Sequence, residues 1–289
     1  MISVTLKGSF GPDPKTPEML PKEYARSALK RGLADEADLG SNPFKFGLVC
    51  STDAHTGLST AVEDNFFGKV ALVEPTGYPI RYEETITGRA TPDDPSDDLI
   101  HAEAIASGIA AVWARENTRE ALWDAMNRKE VFATTGTRLR VRVFAGWESE
   151  EADVTRSDFA AHGYEAGVPM GADLSAPPKG ATPRLLIRAV RDPDGANIDR
   201  IRVVKGWTSA DGEQERVLDV AWSGNRQPDA DGNLPPGGQC GGPADGHLHE
   251  RDWRAVSRRF LGGPGGRPHA ARLLLRPRAR DTDVALDDV

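Results

Sequence analysis

The sequence predicts an α/β region followed by a smaller β-rich domain, and three observations support this. An amphipathic segment at Pro21–Leu39 predicts a helix, and an apolar segment at 44–49 predicts a short buried strand. From residue 138 onward apolar residues recur with a period of two, which is typical of strands with one buried face. We therefore expect an α/β region over residues 1–137 and a β-rich domain over residues 138–236.

The first helix is predicted from the spacing of its apolar residues. These are Tyr24, Ala25, Leu29, Leu33 and Leu39. Gly40 follows directly, and a glycine at this place commonly ends a helix because it adopts a positive φ without strain.

The predicted strand leads into the strongest candidate site. Its apolar residues are followed by small polar residues and then by Asp53 and His55. Strands of α/β proteins deliver functional groups to the carboxyl edge of a sheet, and residues two apart on an extended chain point to the same side. A carboxylate and an imidazole on one side can bind a metal ion such as zinc. The alternative is that Asp53 caps the next turn and His55 makes ordinary polar contacts.

A cation lies a short distance further along the chain. Lys69 follows two aromatic residues, Phe66 and Phe67, that would pack beneath the site. The ammonium group of Lys69 is a candidate contact for an anionic substrate. The alternative is an ordinary solvated lysine.

A second helix and strand precede the β-rich domain. The segment Asn117–Glu120 has the pattern of a capping box with Asn117 as the cap, and 131–133 predicts a short strand. The chain continues with Thr134-Thr135-Gly136-Thr137-Arg138. Beyond it the apolar residues 139, 141 and 143 alternate with arginines 138, 140 and 142, so one interpretation of Arg138 is a strand residue on a solvent-facing side, and the alternative is a functional contact.

The β-rich domain is predicted from three alternating segments. These are 184–190, 198–204 and 217–222. The turn Asp192-Pro193-Asp194-Gly195 separates the first two, because aspartate, proline and glycine each favour turn conformations.

Composition excludes several classes of function. The chain has 289 residues and a formal net charge of −8, which argues against a general affinity for the nucleic-acid backbone. Two cysteines, Cys50 and Cys240, suggest no disulfide framework. Neither a signal-peptide pattern nor an apolar stretch of membrane-spanning length is present, so we predict no membrane partner. The cellular location and the oligomeric state stay open.

Several long segments resemble one known family. They include STDAHTGLSTAVEDNFFGK at 51–69, the segment 110–147 from AAVWARENTREALW to VFAGW, GVPMGADL at 167–174 and DPDGANIDRIRVVKGW at 192–207. Over about residues 17–236 the chain resembles the family of unknown function DUF3604. Members of that family are similar to the polymerase-and-histidinol-phosphatase (PHP) metal-dependent phosphoesterases.

The resemblance implies a fold and a chemistry. It implies that residues 1–137 form the C-terminal part of a PHP-like (β/α) barrel, with Asp53 and His55 as metal ligands. The implied metal of the intact family is divalent zinc, manganese or iron, and the implied reaction of the intact protein is hydrolysis of a small-molecule phosphoester or related ester by metal-activated water. A fragment with only two of the ligands is expected to bind the metal weakly at best, or not at all. It also places 134–138 at the last turn of the barrel, where Thr135 and Arg138 would face the substrate.

The resemblance also implies that part of the protein is missing. PHP-like enzymes begin with a His-x-His pair and add further ligands, whereas no histidine precedes Asp53 here. Residues 237–289 change in character, with many arginines and glycines, and are predicted to be irregular. Codons permissible for this tail can spell family-like segments in a shifted frame, which leads to the hypothesis that the tail is off-frame.

Three interpretations follow from these patterns. The first is a truncated metal-dependent hydrolase that retains Asp53 and His55. The second is a non-catalytic β-rich binding module with an α/β lead-in. The third is an inactive gene-fragment product.

Overall fold

A computed structural model describes residues 16–19, 22, 24–57, 68–71, 76–83, 108–178, 181–195, 197–224, 226–229 and 234–235, and the strands 254–259 and 273–278. The helices are α1 (Ala25–Leu39), α2 (Ile80–Glu83), α3 (Arg119–Asn127) and α4 (Phe159–Ala166), with a 3-10 helix at Glu151–Thr155. The strands are β1 (Ile109–Val112), β2 (Val131–Thr134), β3 (Arg140–Gly146), β4 (Gly167–Pro169), β5 (Arg184–Val190), β6 (Arg200–Ser209), β7 (Gly212–Trp222), β8 (Arg254–Arg259) and β9 (Leu273–Arg278). The chain is therefore a mixed helix and strand protein.

The β-rich part is a sandwich of two antiparallel sheets. One sheet has the strand order β4-β3-β5-β8 and the other has the order β7-β6-β9. Val143 and Ile187 of the first sheet share one core with Ile201, Val203 and Val220 of the second. The predicted strand at 184–190 is confirmed without a shift, while the other two predicted strands lie within β6 and β7 or overlap them.

The first sheet is covered on its other face as well. Phe144 and Leu186 point away from the sandwich core and pack with Val154 and Phe159. Because successive side chains of a strand point to opposite faces, β3 and β5 supply both cores. The 3-10 helix and α4 therefore act as a third layer.

Helix α1 packs on the second sheet. It begins at Ala25, four residues later than Pro21, and ends at Gly40 with φ 73°, as its glycine predicts. Leu29 and Leu33 are buried. Arg26 and Lys30 both pair with Glu215 of β7, so residues assigned by sequence to the α/β region contact the β-rich part directly.

The described residues contain no closed barrel. Strands β1 and β2 pair antiparallel although α3 lies between them, whereas a (β/α) barrel needs parallel neighbours. The capping residue of α3 also differs from the prediction. Thr118, not Asn117, accepts the hydrogen bond from the backbone N–H of Ala121, 3.3 Å away.

The predicted strand at 44–49 is not a strand, and it is not buried. Phe46 and Val49 are exposed, and residues 44–49 pair with no strand among the described residues. The segment meets its first strand partner at an isolated parallel bridge between His55 and Val70. An apolar pattern favours an extended backbone, but a strand also needs a neighbour with free backbone groups.

Two segments of the tail form strands where the sequence predicts irregular chain. β8 pairs with β5, and β9 pairs with β6. An edge strand needs only backbone hydrogen bonds to its neighbour, so it can form without an apolar alternation of its own. The rest of the tail lies outside the described residues, and the off-frame hypothesis remains a prediction. Within the part of the chain that the structure describes, no helix has both the length and the apolar character needed to cross a membrane.

Candidate functional site

The segment 42–57 contains the predicted ligands. It packs closely against α1, against Lys129 and against the residue before β1. At Gly32 of α1 an added Cβ would lie 2.2 Å from Asn42 Oδ1, and at Gly47 it would lie 3.0 Å from Lys129 Cβ. At Gly108 an added Cβ would lie 2.1 Å from the carbonyl oxygen of Ser51. Three glycines therefore allow the close contacts that guide this segment to Asp53.

Asp53 and His55 come together, but not through a regular extended chain. Asp53 has φ 53°, in the left-handed region that most side chains avoid. The backbone N–H of His55 donates to the carbonyl oxygen of Lys69, 2.7 Å away. The bend at Asp53 places its Oδ1 atom 3.0 Å from Nε2 of His55.

Lys69 completes this cluster. Its Nζ atom lies 2.6 Å from Oδ2 of Asp53, so both carboxylate oxygens have partners. The hydrogen bond from Lys69, followed by that with His55, lowers the pKa of Asp53 below its ordinary value. The Asp53 carboxylate therefore stays ionised in mildly acidic solution. The side chains of Asp53 and His55 are about 60% exposed (63% and 59%), so the cluster is open to small solutes.

The donor atoms suit two ligands of one metal ion. Ligand atoms at adjacent coordination positions, each about 2.1 Å from an ion, lie about 3.0–3.4 Å apart. The 3.0 Å separation of Asp53 Oδ1 and His55 Nε2 fits this range. Within the described residues, however, no group of three His, Cys, Asp or Glu side chains could hold an ion. The fit is therefore that of a partial ligand set.

Thr135 and Arg138 lie directly after β2, and both are exposed. The backbone N–H of Arg138 donates to Oδ2 of Asp192, 2.6 Å away, which ties this segment to the turn before β6. Thr134 donates to the carbonyl oxygen of Thr137 at 2.5 Å. Within the described residues, no hydrogen bond or ion pair joins Thr135 or Arg138 to the Asp53 cluster, so their predicted substrate contacts remain predictions.

A buried polar network was not predicted from the sequence. Glu130 is 1% exposed and contacts the Tyr164 hydroxyl and Nη2 of Arg142. The Arg142 guanidinium lies 4.4 Å from the ring centre of Trp113. Alternation with apolar residues is typical of a strand with one solvent-facing side, but the Arg142 side chain is only 16% exposed because tertiary packing covers that side of β3. The sequence feature that could have indicated this network is the position of Glu130 directly before strand β2.

The chain was compared with known protein families, curated proteins and solved structures. Residues 5–247 match the family described as Protein of unknown function (DUF3604). This range includes the segments 17–236 from which the resemblance was inferred, and it extends into the tail. No curated protein and no solved structure matches the chain.

Proposed function

Because this chain belongs to the DUF3604 family, we propose that it is a PHP-like metal-dependent hydrolase of small phosphoesters or related esters. Asp53 and His55 are the proposed metal ligands, and Lys69 is the proposed contact for an anionic oxygen of the substrate. The observation that carries the proposal is the cluster itself. At an exposed bend of the chain, an imidazole nitrogen and an ammonium nitrogen each lie within 3.0 Å of an oxygen of the Asp53 carboxylate.

The strained backbone supports this assignment. A left-handed conformation at a residue other than glycine costs about 1–3 kcal/mol, and such residues concentrate at functional sites. Asp53 has this conformation, and the described residues around it, 45–57, are not helical. The bend has a clear consequence, because it turns Oδ1 toward His55 and Oδ2 toward Lys69.

A divalent zinc, manganese or iron ion, when bound, would supply Lewis acidity and an activated water molecule. The residues of the chain have separate tasks. Asp53 contributes a negative charge that its lowered pKa maintains. His55 contributes an imidazole nitrogen. The Lys69 ammonium group lies beside Asp53 and is the proposed contact for a phosphate or carboxylate oxygen.

The proposal requires a further metal ligand and includes two further substrate contacts. A catalytic zinc site has three protein ligands, so at least one ligand must come from outside the described residues. Thr135 and Arg138 are proposed as substrate contacts on the basis of the family resemblance, and their exposure leaves them accessible.

Metal content tests the proposal directly. The purified chain, Asp53→Ala, His55→Ala and the exposed-turn control Asp211→Ala would be analysed by elemental mass spectrometry after incubation with zinc or manganese. We expect metal in the wild type and in Asp211→Ala, and a loss of at least about tenfold in affinity when either proposed ligand is removed. Hydrolysis of bis(p-nitrophenyl) phosphate should follow the metal content. Equal metal and equal turnover in Asp53→Ala would refute the ligand assignment.

The β-rich binding module is the second candidate, and the sandwich favours it because its two sheets form a core of their own. A folded chain that binds no metal in the same experiment would support this candidate instead. An insoluble chain would support the inactive product.

A further inference from the structure

We propose that the β-sandwich positions the segment that carries Asp53 and His55, so that it is a structural part of the metal site rather than a separate module. The contact that does this is a junction formed by Lys45, Gly47, Lys129, Gly171 and Asp173. The consequence for metal binding rests on the proposed function, whereas the docking of the segment does not.

The centre of the junction is Lys129, at the end of α3. Lys129 has φ 61°, and the next backbone N–H, that of Glu130, donates to the carbonyl oxygen of Ala125 over 3.0 Å. This is the usual closure of a helix that ends with a left-handed residue. The turn therefore presents the Lys129 backbone on one side and its side chain on the other.

Both sides of this turn are occupied. An added Cβ at Gly171, in the loop after β4, would lie 2.2 Å from the Lys129 carbonyl oxygen. An added Cβ at Gly47, in the site segment, would lie 3.0 Å from Lys129 Cβ. Lys129 is thus held between the sandwich and the site segment, and glycine is required at Gly171 both for space and for its φ of 87°.

An ion pair bridges the same two parts directly. Lys45 Nζ lies 2.5 Å from Oδ2 of Asp173, two residues beyond Gly171. Both side chains keep contact with solvent, so this ion pair contributes little to stability. Its main effect is to fix the position of the site segment relative to the loop after β4.

The turn is itself anchored to the sandwich. Glu130 follows Lys129 and contacts Arg142 of β3 and Tyr164 of α4. The indole N–H of Trp113 donates to the Val141 carbonyl oxygen, 2.9 Å away. Movement of the sandwich relative to α3 would therefore require a buried carboxylate to lose its partners.

Only a few residues separate the junction at Gly47 from Asp53, and one of them has a packing contact of its own. Ser51 lies against Gly108, and Asp53 follows two residues later. Ligands that are held in place before binding lose less conformational entropy when an ion binds. The junction should thus increase metal affinity without touching the ion.

Cys50 is a built-in reporter of this docking. Its thiol is free and half-buried, and burial raises its pKa. If the segment leaves the junction, the thiol becomes more exposed and reacts faster. Alkylation by iodoacetamide, followed by peptide mass spectrometry, measures Cys50 separately from Cys240.

Two sets of variants test the junction. Gly171→Ala should raise the Cys50 alkylation rate about tenfold, because the new Cβ displaces the Lys129 turn. Gly212→Ala is the matched control, since Gly212 also has a positive φ, 95°, but nothing lies within 4 Å of its added Cβ. Lys45→Glu and Asp173→Lys should each raise the rate about twofold to fivefold, and the double exchange should restore it.

The outcomes separate this inference from the proposed function. Equal Cys50 rates in Gly171→Ala, Gly212→Ala and the wild type, with no effect of either charge reversal, would overturn the docking. If Gly171→Ala does not fold, the charge reversals alone decide. Zinc titrations against a chromophoric chelator complete the test. Zinc affinity that depends on Asp53 but is unchanged in the junction variants would refute the positioning effect and leave the proposed function intact. If the junction variants show faster Cys50 alkylation but the chain never binds zinc, the proposed function is refuted and the docking of the segment is supported.

Discussion

Removal of the Glu130 carboxylate should destabilise the protein more than removal of any exposed acid. Glu130 is 1% exposed and accepts hydrogen bonds from Arg142 and Tyr164, while Arg128 lies 3.4 Å from its other oxygen. Arg142 Nε is buried and has no hydrogen-bond partner among the described residues. The guanidinium has therefore already lost part of its hydration and depends on Glu130 for charge compensation.

The magnitude follows from what remains after the substitution. Breaking a buried ion pair by removing one partner costs about 3–5 kcal/mol, because the other charge stays buried and uncompensated. We expect this loss in the free energy of unfolding for Glu130→Ala. Glu130→Gln keeps the shape and one acceptor, so it should cost less, about 1–3 kcal/mol. The ring of Trp113 would stabilise the orphaned Arg142 by only about 1 kcal/mol.

Urea unfolding at pH 7, followed by circular dichroism, measures these differences. Glu213→Gln is the matched control, because Glu213 is exposed on β7 and should change stability by less than about 0.5 kcal/mol. The combined exchange Glu130→Leu with Arg142→Met should recover most of the loss, since it removes both buried charges. A Glu130→Ala variant within about 1 kcal/mol of the wild type would show that the network does not bear on stability.

Two further predictions concern the sandwich and α1. Leu186→Ala should lower the free energy of unfolding by about 2–5 kcal/mol, because Leu186 is fully buried against Phe144 and Phe159, while Val217→Ala at an exposed site should cost far less in the same urea experiment. Burial alone would raise the pKa of Glu215, but the hydrogen bond from Arg26 and the charges of Arg26 and Lys30 lower it. Its stabilising effect is thus complete above the ordinary glutamate pKa of about 4.3 and is lost as the pH falls through the lowered value. The difference in Tm between the wild type and Glu215→Gln should be full at pH 7 and vanish in strong acid, and a difference that does not change with pH would contradict this.

Local patterns in the sequence account for several elements. The end of α1 follows from Gly40, whose φ of 73° is easy only for glycine. Strand β5 follows from its run of apolar residues, which are buried on both faces of the sheet, and its bounds agree with the prediction. These features depend on residues a few positions apart, so the sequence contains the necessary information.

The candidate site could be found only in part from the sequence. Asp53 and His55 are two residues apart, and their proximity was expected, although the bend that joins them was not. Lys69 reaches Asp53 because a backbone hydrogen bond pairs His55 with Lys69 across fourteen residues. A pairing of this kind depends on the whole fold, and no local pattern predicts it.

The chain's own residues thus specify helix ends, strand alternation, a negative net charge and membership of the DUF3604 family. Tertiary structure adds the antiparallel pairing of β1 with β2, the burial of Glu130 beneath Tyr164 and the close approach of Gly171 to Lys129. The physical reason is distance along the chain. Propensity and periodicity act over one or two turns, whereas these contacts join segments that only the packed core brings together.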